Sequence, residues 1–195
     1  MAFFRCKSLG SPPEPQHNYY AKFTGKDFIT LPFNVPSAYD DYEIIIDFLY
    51  EYKDDWDMII GNSSAGSESL WLRGGENSFS INELHSYTCD TSQRHILHYN
   101  KVNGTNKSIM LDNEIVDTYN HVSYSTKPYL TIGGTRNSLT KKFNGNFYEY
   151  KIVDTANDEV VCDIIPMEYN GDLVFRDIIN EVNYTCNGMT IEEEA

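Results

Sequence analysis

A chain of 195 residues with 29 acidic and 15 basic side chains carries a formal charge of -14, which sets it against nucleic acid and against an anionic membrane surface, since both would repel it. No apolar run is long enough to cross a bilayer, and the opening Met1-Ala2-Phe3-Phe4-Arg5-Cys6-Lys7 has too short an apolar core for a secretory signal. The length suits one domain that buries its core without staples, and 15 Tyr with 10 Phe favour strands.

Residues Met1 to Asn18 read differently from the rest. Ser11-Pro12-Pro13-Glu14-Pro15 rules out helix and central strand and favours an extended polyproline conformation. Phe3, Phe4 and Leu9 beside Arg5 and Lys7 give an acidic protein an apolar, basic tip. Such a tip is costly to leave exposed without a partner, so residues 1–18 are expected to be an attachment arm. The plain alternative is a floppy leader or an edge strand of the chain's own sheet. A short apolar arm binds weakly alone, so a symmetric homo-oligomer, for example a trimer, would present several arms and gain avidity.

A β domain is expected from residue 19 to 189. Tyr20-Ala21-Lys22-Phe23 and Phe28-Ile29-Thr30-Leu31 read as short strands, the second ended by Pro32. Asp41 to Tyr52 alternates most clearly: Tyr42, Ile44, Ile46, Phe48, Tyr50 and Tyr52 form one apolar face. Glu43, Asp47 and Glu51 share the other with Ile45 and Leu49 and are expected to be solvated or to contact a ligand. As a catalytic set they fail on spacing, because residues four apart on a strand stand roughly 13 Å apart. A retaining glycosidase needs its carboxyl groups about 5 Å apart, and the inverting range ends somewhat below 13 Å.

Short strands follow at Met58-Ile59-Ile60 and Ser69 to Arg73, the latter stopped by Gly74-Gly75, then at Ser78 to Asn82 and Glu83 to Cys89. Arg94 to Val102 alternates, placing His95 and His98 on opposite faces. Asn103-Gly104 signals a hairpin returning through Lys107 to Leu111, and Asp112-Asn113-Glu114 turns into Ile115-Val116. Tyr129 to Ile132 is stopped by Gly133-Gly134. Asn146 to Val153 reads as a strand with Phe147, Glu149, Lys151 and Val153 on one side and Asn146, Tyr148, Tyr150 and Ile152 on the other. Gly145 before it marks a turn or a close backbone approach. Val160 to Ile165 is ended by Pro166, Phe175 to Asn180 suits a strand or one helical turn, and residues 190–195 close the domain as a solvated acidic tail around Glu192-Glu193-Glu194. Cys6, Cys89, Cys162 and Cys186 lack the spacing of a zinc site and are expected to be reduced thiols.

The run from Tyr129 to Asp154, with its strand ending Ile132-Gly133-Gly134 and its Phe143-x-Gly145-x-Phe147-Tyr148-x-Tyr150-Lys151-Ile152-x-Asp154 pattern, resembles the late part of a laminin-G-like domain. The hairpin before Leu111-Asp112-Asn113-Glu114 resembles a turn of the same domains. Asp163-Ile164-Ile165-Pro166, then Gly171 to Asn180 and Tyr184, is similar to a C-terminal pattern of tailed-phage and prophage virion proteins that carry this sandwich. The resemblance covers about Tyr19 to Met189. It implies an all-β fold, a concanavalin A-like jelly-roll β-sandwich, with the extended N-terminal arm in front. It also implies a non-catalytic virion component, in capsid decoration, head fibre or tail appendage, that is assembled in the bacterial host cytoplasm. Other virion proteins would be the arm's partners, and a host-surface glycan a ligand of the sandwich. A carbohydrate-binding module of a bacterial surface protein and, third, a glycoside hydrolase are the alternatives.

A glycan site needs an aromatic platform beside polar side chains, which points to Tyr39, Trp56 and Asp57. No cofactor is required by any motif. Laminin-G-like domains often hold calcium at the sandwich rim, and Asp54, Asp55 and Asp112 are the carboxylates placed for it by the resemblance, against a default of solvated charge.

Overall fold

The computed structural model describes residues 18–25, 29–31, 41–51, 57–62, 72–81, 85–103, 106–119, 130–133, 143–184 and 189–194. Tyr39, Asp54, Asp55, Trp56, Trp71 and the arm residues therefore lie outside the described residues. The described strands are β1 Tyr19–Thr24, β2 Ile29–Leu31, β3 Tyr42–Tyr50, β4 Asp57–Asn62, β5 Leu72–Gly75 and β6 Ser78–Ile81. They continue with β7 His85–Thr88, β8 Arg94–Asn103, β9 Asn106–Leu111, β10 Glu114–Tyr119 and β11 Leu130–Ile132. Last come β12 Asn144–Asp154, β13 Glu159–Tyr169, β14 Asp172–Asp177, β15 Val182–Tyr184 and β16 Thr190–Glu193.

These pair, always antiparallel, into two sheets. The larger runs β10-β9-β8-β3-β12-β13-β14-β15, and β1 joins it by pairing one end of β12 while β16 pairs β1. The smaller runs β2-β11-β4-β5-β6-β7. The inner faces of the two sheets meet in an aromatic core, as expected of a jelly-roll sandwich. From the large sheet come Phe23, Phe48, Tyr50, Tyr99, Phe147, Tyr150 and Phe175; from the small one Ile29, Ile59, Ile60, Phe79 and Ile132. Phe79 stands edge-on to Phe48 at 5.0 Å between centroids, and Phe147 edge-on to Phe175 at 6.0 Å. Such pairs add about 1 kcal/mol each to the burial of the rings.

Several local features follow from single residues. Asp112 and Asn113, at φ 52° and 69°, form the two-residue turn between β9 and β10, the left-handed geometry that short polar side chains tolerate. Asn170 and Gly171, at φ 55° and 86°, do the same between β13 and β14. That second hairpin corrects two expectations. Pro166 does not end its strand but sits opposite Phe175, because the ladder to β12 stops at Ile164 and no N–H is needed beyond it on that side. The segment after Phe175 is strand only to Asp177. There Asp177 Oδ1 accepts the Ile179 and Asn180 N–H groups at 3.0 and 3.1 Å and turns the chain.

Gly74 and Gly75 are the last two residues of β5, and a Cβ on Gly74 would come within 2.3 Å of the Tyr50 ring. Gly145 lies inside β12 at φ 141°, where a Cβ would meet the Leu49 carbonyl oxygen at 2.1 Å, so its role is close backbone approach. The acidic C-terminal segment is not a free tail: Thr190 to Glu193 pair with Lys22 to Tyr19 as β16. Pairing with the sheet gives their backbone groups partners that a solvated tail would leave to water. Cys89 and Cys162 are free thiols, Cys162 buried.

Candidate functional site

The outer face of the large sheet carries the chemistry. On β3 the register puts Ile44, Ile46, Phe48 and Tyr50 inward and Glu43, Ile45, Asp47 and Leu49 outward, as alternation requires. The outward acids were expected to be solvated. Glu43 and Asp47 are instead 3% exposed. A buried carboxylate needs a partner or it loses its charge, and each has one. His98 Nδ1 lies 2.6 Å from Glu43 Oε1. Arg94 grips Asp47 with both ends of its fork, Nε at 2.8 Å and Nη2 at 2.7 Å. Glu51, at the exposed end of the run, accepts a hydrogen bond from Asn144 Nδ2 at 2.8 Å.

Neighbouring strands deliver the rest of this face. On β12 a bulge between Phe147 and Glu149 breaks the simple alternation. Phe147 therefore joins Tyr150 and Ile152 in the core, while Tyr148 leaves it and packs under the Arg94 guanidinium, 3.7 Å from its ring centroid. Glu149 pairs across from Asp47, and Lys151 across from Asp163 of β13. The Lys151 ammonium contacts Glu149 and reaches Asp163 Oδ2 at 3.4 Å. Two buried carboxyl groups thus share one ammonium. Burial, and then the charge of Glu149, push the Asp163 carboxyl up to about 6. Burial works to lower the pKa of Lys151, but the hydrogen bonds and charges of Glu149 and Asp163 together raise it, and the ammonium is held charged. Arg94 behaves likewise, with burial opposed by the hydrogen bonds and charge of Asp47 and by the charge of Glu194, which together raise it.

The network opens to solvent at one corner. Arg94, a third exposed, also reaches both oxygens of Glu194 at 3.3 Å. Tyr20 lies 5.8 Å from Tyr148 and donates to Glu192 Oε2 at 2.7 Å, where Lys22 Nζ stands at 3.8 Å. Ring faces, a guanidinium, an ammonium and two carboxylates are thereby held in fixed relation, a set that suits hydrogen bonding to a hydroxyl-rich ligand. Chemically the face is a bound, charge-matched mosaic. None of Glu43, Asp47, Glu149 and Asp163 stands without a cationic partner or His98.

The residues singled out from sequence are not gathered here. Asp57 opens β4 opposite Gly74 in the smaller sheet, and Tyr39 and Trp56 lie outside the described residues. Asp112 spends its carboxylate locally: Oδ1 accepts the Ile96 N–H at 2.9 Å and Oδ2 lies 2.7 Å from His95 Nδ1. His95 is buried on the inner face against Phe48 and Phe79, opposite in facing to His98 as expected, and its Nε2 lies 2.7 Å from the Asp90 carbonyl. Among the described residues no three His, Cys, Asp or Glu are grouped to hold a metal ion. Arg94, His98, Tyr148 and Asp163 were missed as site residues. The acids of β3 hinted that partners must exist, but nothing in the order of residues says which strands lie beside them.

The fold is an all-β sandwich of laminin-G-like form. No family model and no characterised sequence matches the chain. Among solved structures it is similar to domains LG4-5 of the mouse laminin alpha1 chain, at 16% identity and a TM-score of 0.51, over 74% of this chain and 42% of that one. It is also similar to the full extracellular region of zebrafish Gpr126/Adgrg6, at 12% identity and a TM-score of 0.51, over 92% of this chain and 26% of that one. The chain thus spans less than half of either. These likenesses establish the fold.

Proposed function

We propose that the chain is a non-catalytic recognition module whose ligand is a glycan, met at the corner formed by Arg94, Tyr148, Tyr20, Lys22, Glu192 and Glu194. The observation that carries the reading is the bidentate Arg94–Asp47 pair lying flat on Tyr148, because it fixes donors, acceptors and a ring before any ligand arrives. Supporting it, one neighbour is a pair of domains of a mouse laminin chain and the other the extracellular region of zebrafish Gpr126/Adgrg6. The finer reading is a virion appendage of a tailed phage, with Met1 to Asn18 as its attachment arm. That part rests on the C-terminal pattern around Asp163-Ile164-Ile165-Pro166 and on the arm's composition.

A glycan array with the wild type, Arg94→Ala and Trp56→Ala tests the recognition reading. Binding by the wild type that Arg94→Ala abolishes is the expected result. Loss only in Trp56→Ala moves the site to the segment that precedes β4 in the sequence, and binding by none rejects a glycan ligand. Mass spectrometry of purified particles tests the virion reading, which fails if the chain is absent from them. A hydrolase is the second reading, favoured by one observation, the raised pKa of Asp163 beside Glu149. Turnover of a polysaccharide panel, lost in Glu149→Gln, would establish it.

A further inference from the structure

The far edge of the large sheet has an apolar strip with no partner among the described residues. Leu173 is 51% exposed, Ile178 37%, Ile179 46% and Val182 40%. Leu173 is the second residue of β14 and Val182 opens β15, cross-strand from Asp177; buried Phe175 and Asp177 lie between them, so the exposed side chains sit at the two ends of the β14–β15 hairpin. Beyond β15 no described strand continues the sheet. Acidic side chains frame it: Asp172, Glu168 and Glu181 are all exposed. Large exposed apolar side chains gathered at a sheet edge mark a surface that something covers.

We propose that the occupant is the N-terminal segment of the same chain, with Phe3, Phe4 and Leu9 on the apolar strip and Arg5 and Lys7 against the acidic frame. Three observations select it. The first is where the segment leaves the domain. Asn18 accepts the Glu194 N–H, and Tyr19 Oη reaches Glu168 Oε2 at 3.4 Å. Glu168 is the strand partner of Leu173, so the arm departs beside one end of the strip. The second is reach. Residues 10 to 18, three of them proline, reach at most roughly 28 Å at the about 3.1 Å per residue of a polyproline conformation. The strip from Leu173 to Asp177 is roughly 13 Å long. Phe3 to Leu9 therefore arrive over Ile178, Ile179 and Val182 with chain to spare. The third is charge. The frame is acidic, and the arm's tip carries Arg5 and Lys7 in a protein of net charge -14. Tethering supplies an effective concentration in the millimolar range, enough for a contact too weak to form between separate molecules. This inference does not depend on the glycan ligand proposed above, and it competes with the attachment role proposed there for the same residues.

Hydrogen exchange read by mass spectrometry on the full chain tests it, with sedimentation run at the same concentrations. Deleting Met1 to Asn18 is expected to speed exchange across Leu173 to Tyr184 on the order of tenfold and to leave β3 unchanged. Phe3→Ser with Phe4→Ser should do the same in a chain of full length. Asp172→Lys with Glu181→Lys should weaken the protection, as should added salt. Unchanged exchange after both arm alterations overturns the proposal. Protection that appears only as concentration rises, together with a dimer or trimer in sedimentation, also overturns it, because the occupant is then a neighbour's arm.

Discussion

The two faces of the large sheet are cut from the same strands yet are stabilised in different ways. The inner face of β3 and β12 is Ile44, Ile46, Phe48, Phe147 and Tyr150, held by burial that has no preferred direction. The outer face is Glu43, Asp47, Glu149 and Lys151, nearly as well hidden but held by directional pairs to His98, Arg94 and Asp163. An apolar face tolerates small shifts and is hurt by lost volume. A charged face tolerates lost volume and is hurt by a lost partner. The pairs contribute less net stability than the rings, because desolvation offsets most of their attraction. What they add is a fixed arrangement of polar groups on the side of the sheet that faces outward.

The comparison breaks first on the inner face. Phe147→Ala should cost about 3–5 kcal/mol in urea denaturation, the range for emptying a buried aromatic site, and a loss below 1 kcal/mol would mean the core is looser than its contacts. On the outer face Asp47→Ala should cost roughly 2 kcal/mol, since Arg94 keeps Glu194 and some water as partners and so is not stranded. Thermal melts of Asp47→Ala beside Asp47→Asn separate lost charge from lost hydrogen bonds. A smaller effect sharpens the picture by pH. The Asp163 carboxyl is raised in the folded state from 3.8 to about 6. The folded protein therefore binds this proton more tightly than the unfolded chain, and the group's contribution to stability is present below about 4 and lost as pH rises through 6. Relative to the wild type, Asp163→Asn should gain stability between pH 4 and 6 and hold that gain at pH 7. Parallel urea midpoints at every pH would remove Asp163 from the account. Least affected should be Lys22→Ala, within about 0.5 kcal/mol, because its partnership with Glu192 is exposed on both sides.

The inner face was legible from the sequence because it needs only alternation, and Tyr42 to Tyr50 alternates without interruption. The outer face was legible only in half. Glu43 and Asp47 could be assigned to one side of a strand, but their partners lie 55 and 47 residues away in His98 and Arg94, and pairing across such a distance leaves no local mark. The bulge at Tyr148 was hidden for a related reason: one added residue reverses the facing of everything before it without any change in composition. Pro166 misled because proline ends a strand only where its missing N–H is needed. The Gly145 position, by contrast, allowed two readings from sequence, and the Leu49 carbonyl beside it decides between them.

One connection has a consequence for how the domain comes to exist. Among the described residues β1 pairs only with β12 and β16, strands that come late in the sequence, and Tyr20 meets Glu192 across 172 residues. β12 also supplies one of the two neighbours of β3. During synthesis the first strand is made with nothing to pair, and the middle of the sheet stays open until most of the chain has emerged. Contacts of such long range are slow to form, which places folding in the millisecond-to-second regime of β-sandwiches. For that interval Phe23 and Phe48 have no core to enter, and the nascent chain depends on its own acidic surface, or on a chaperone, to stay out of aggregates.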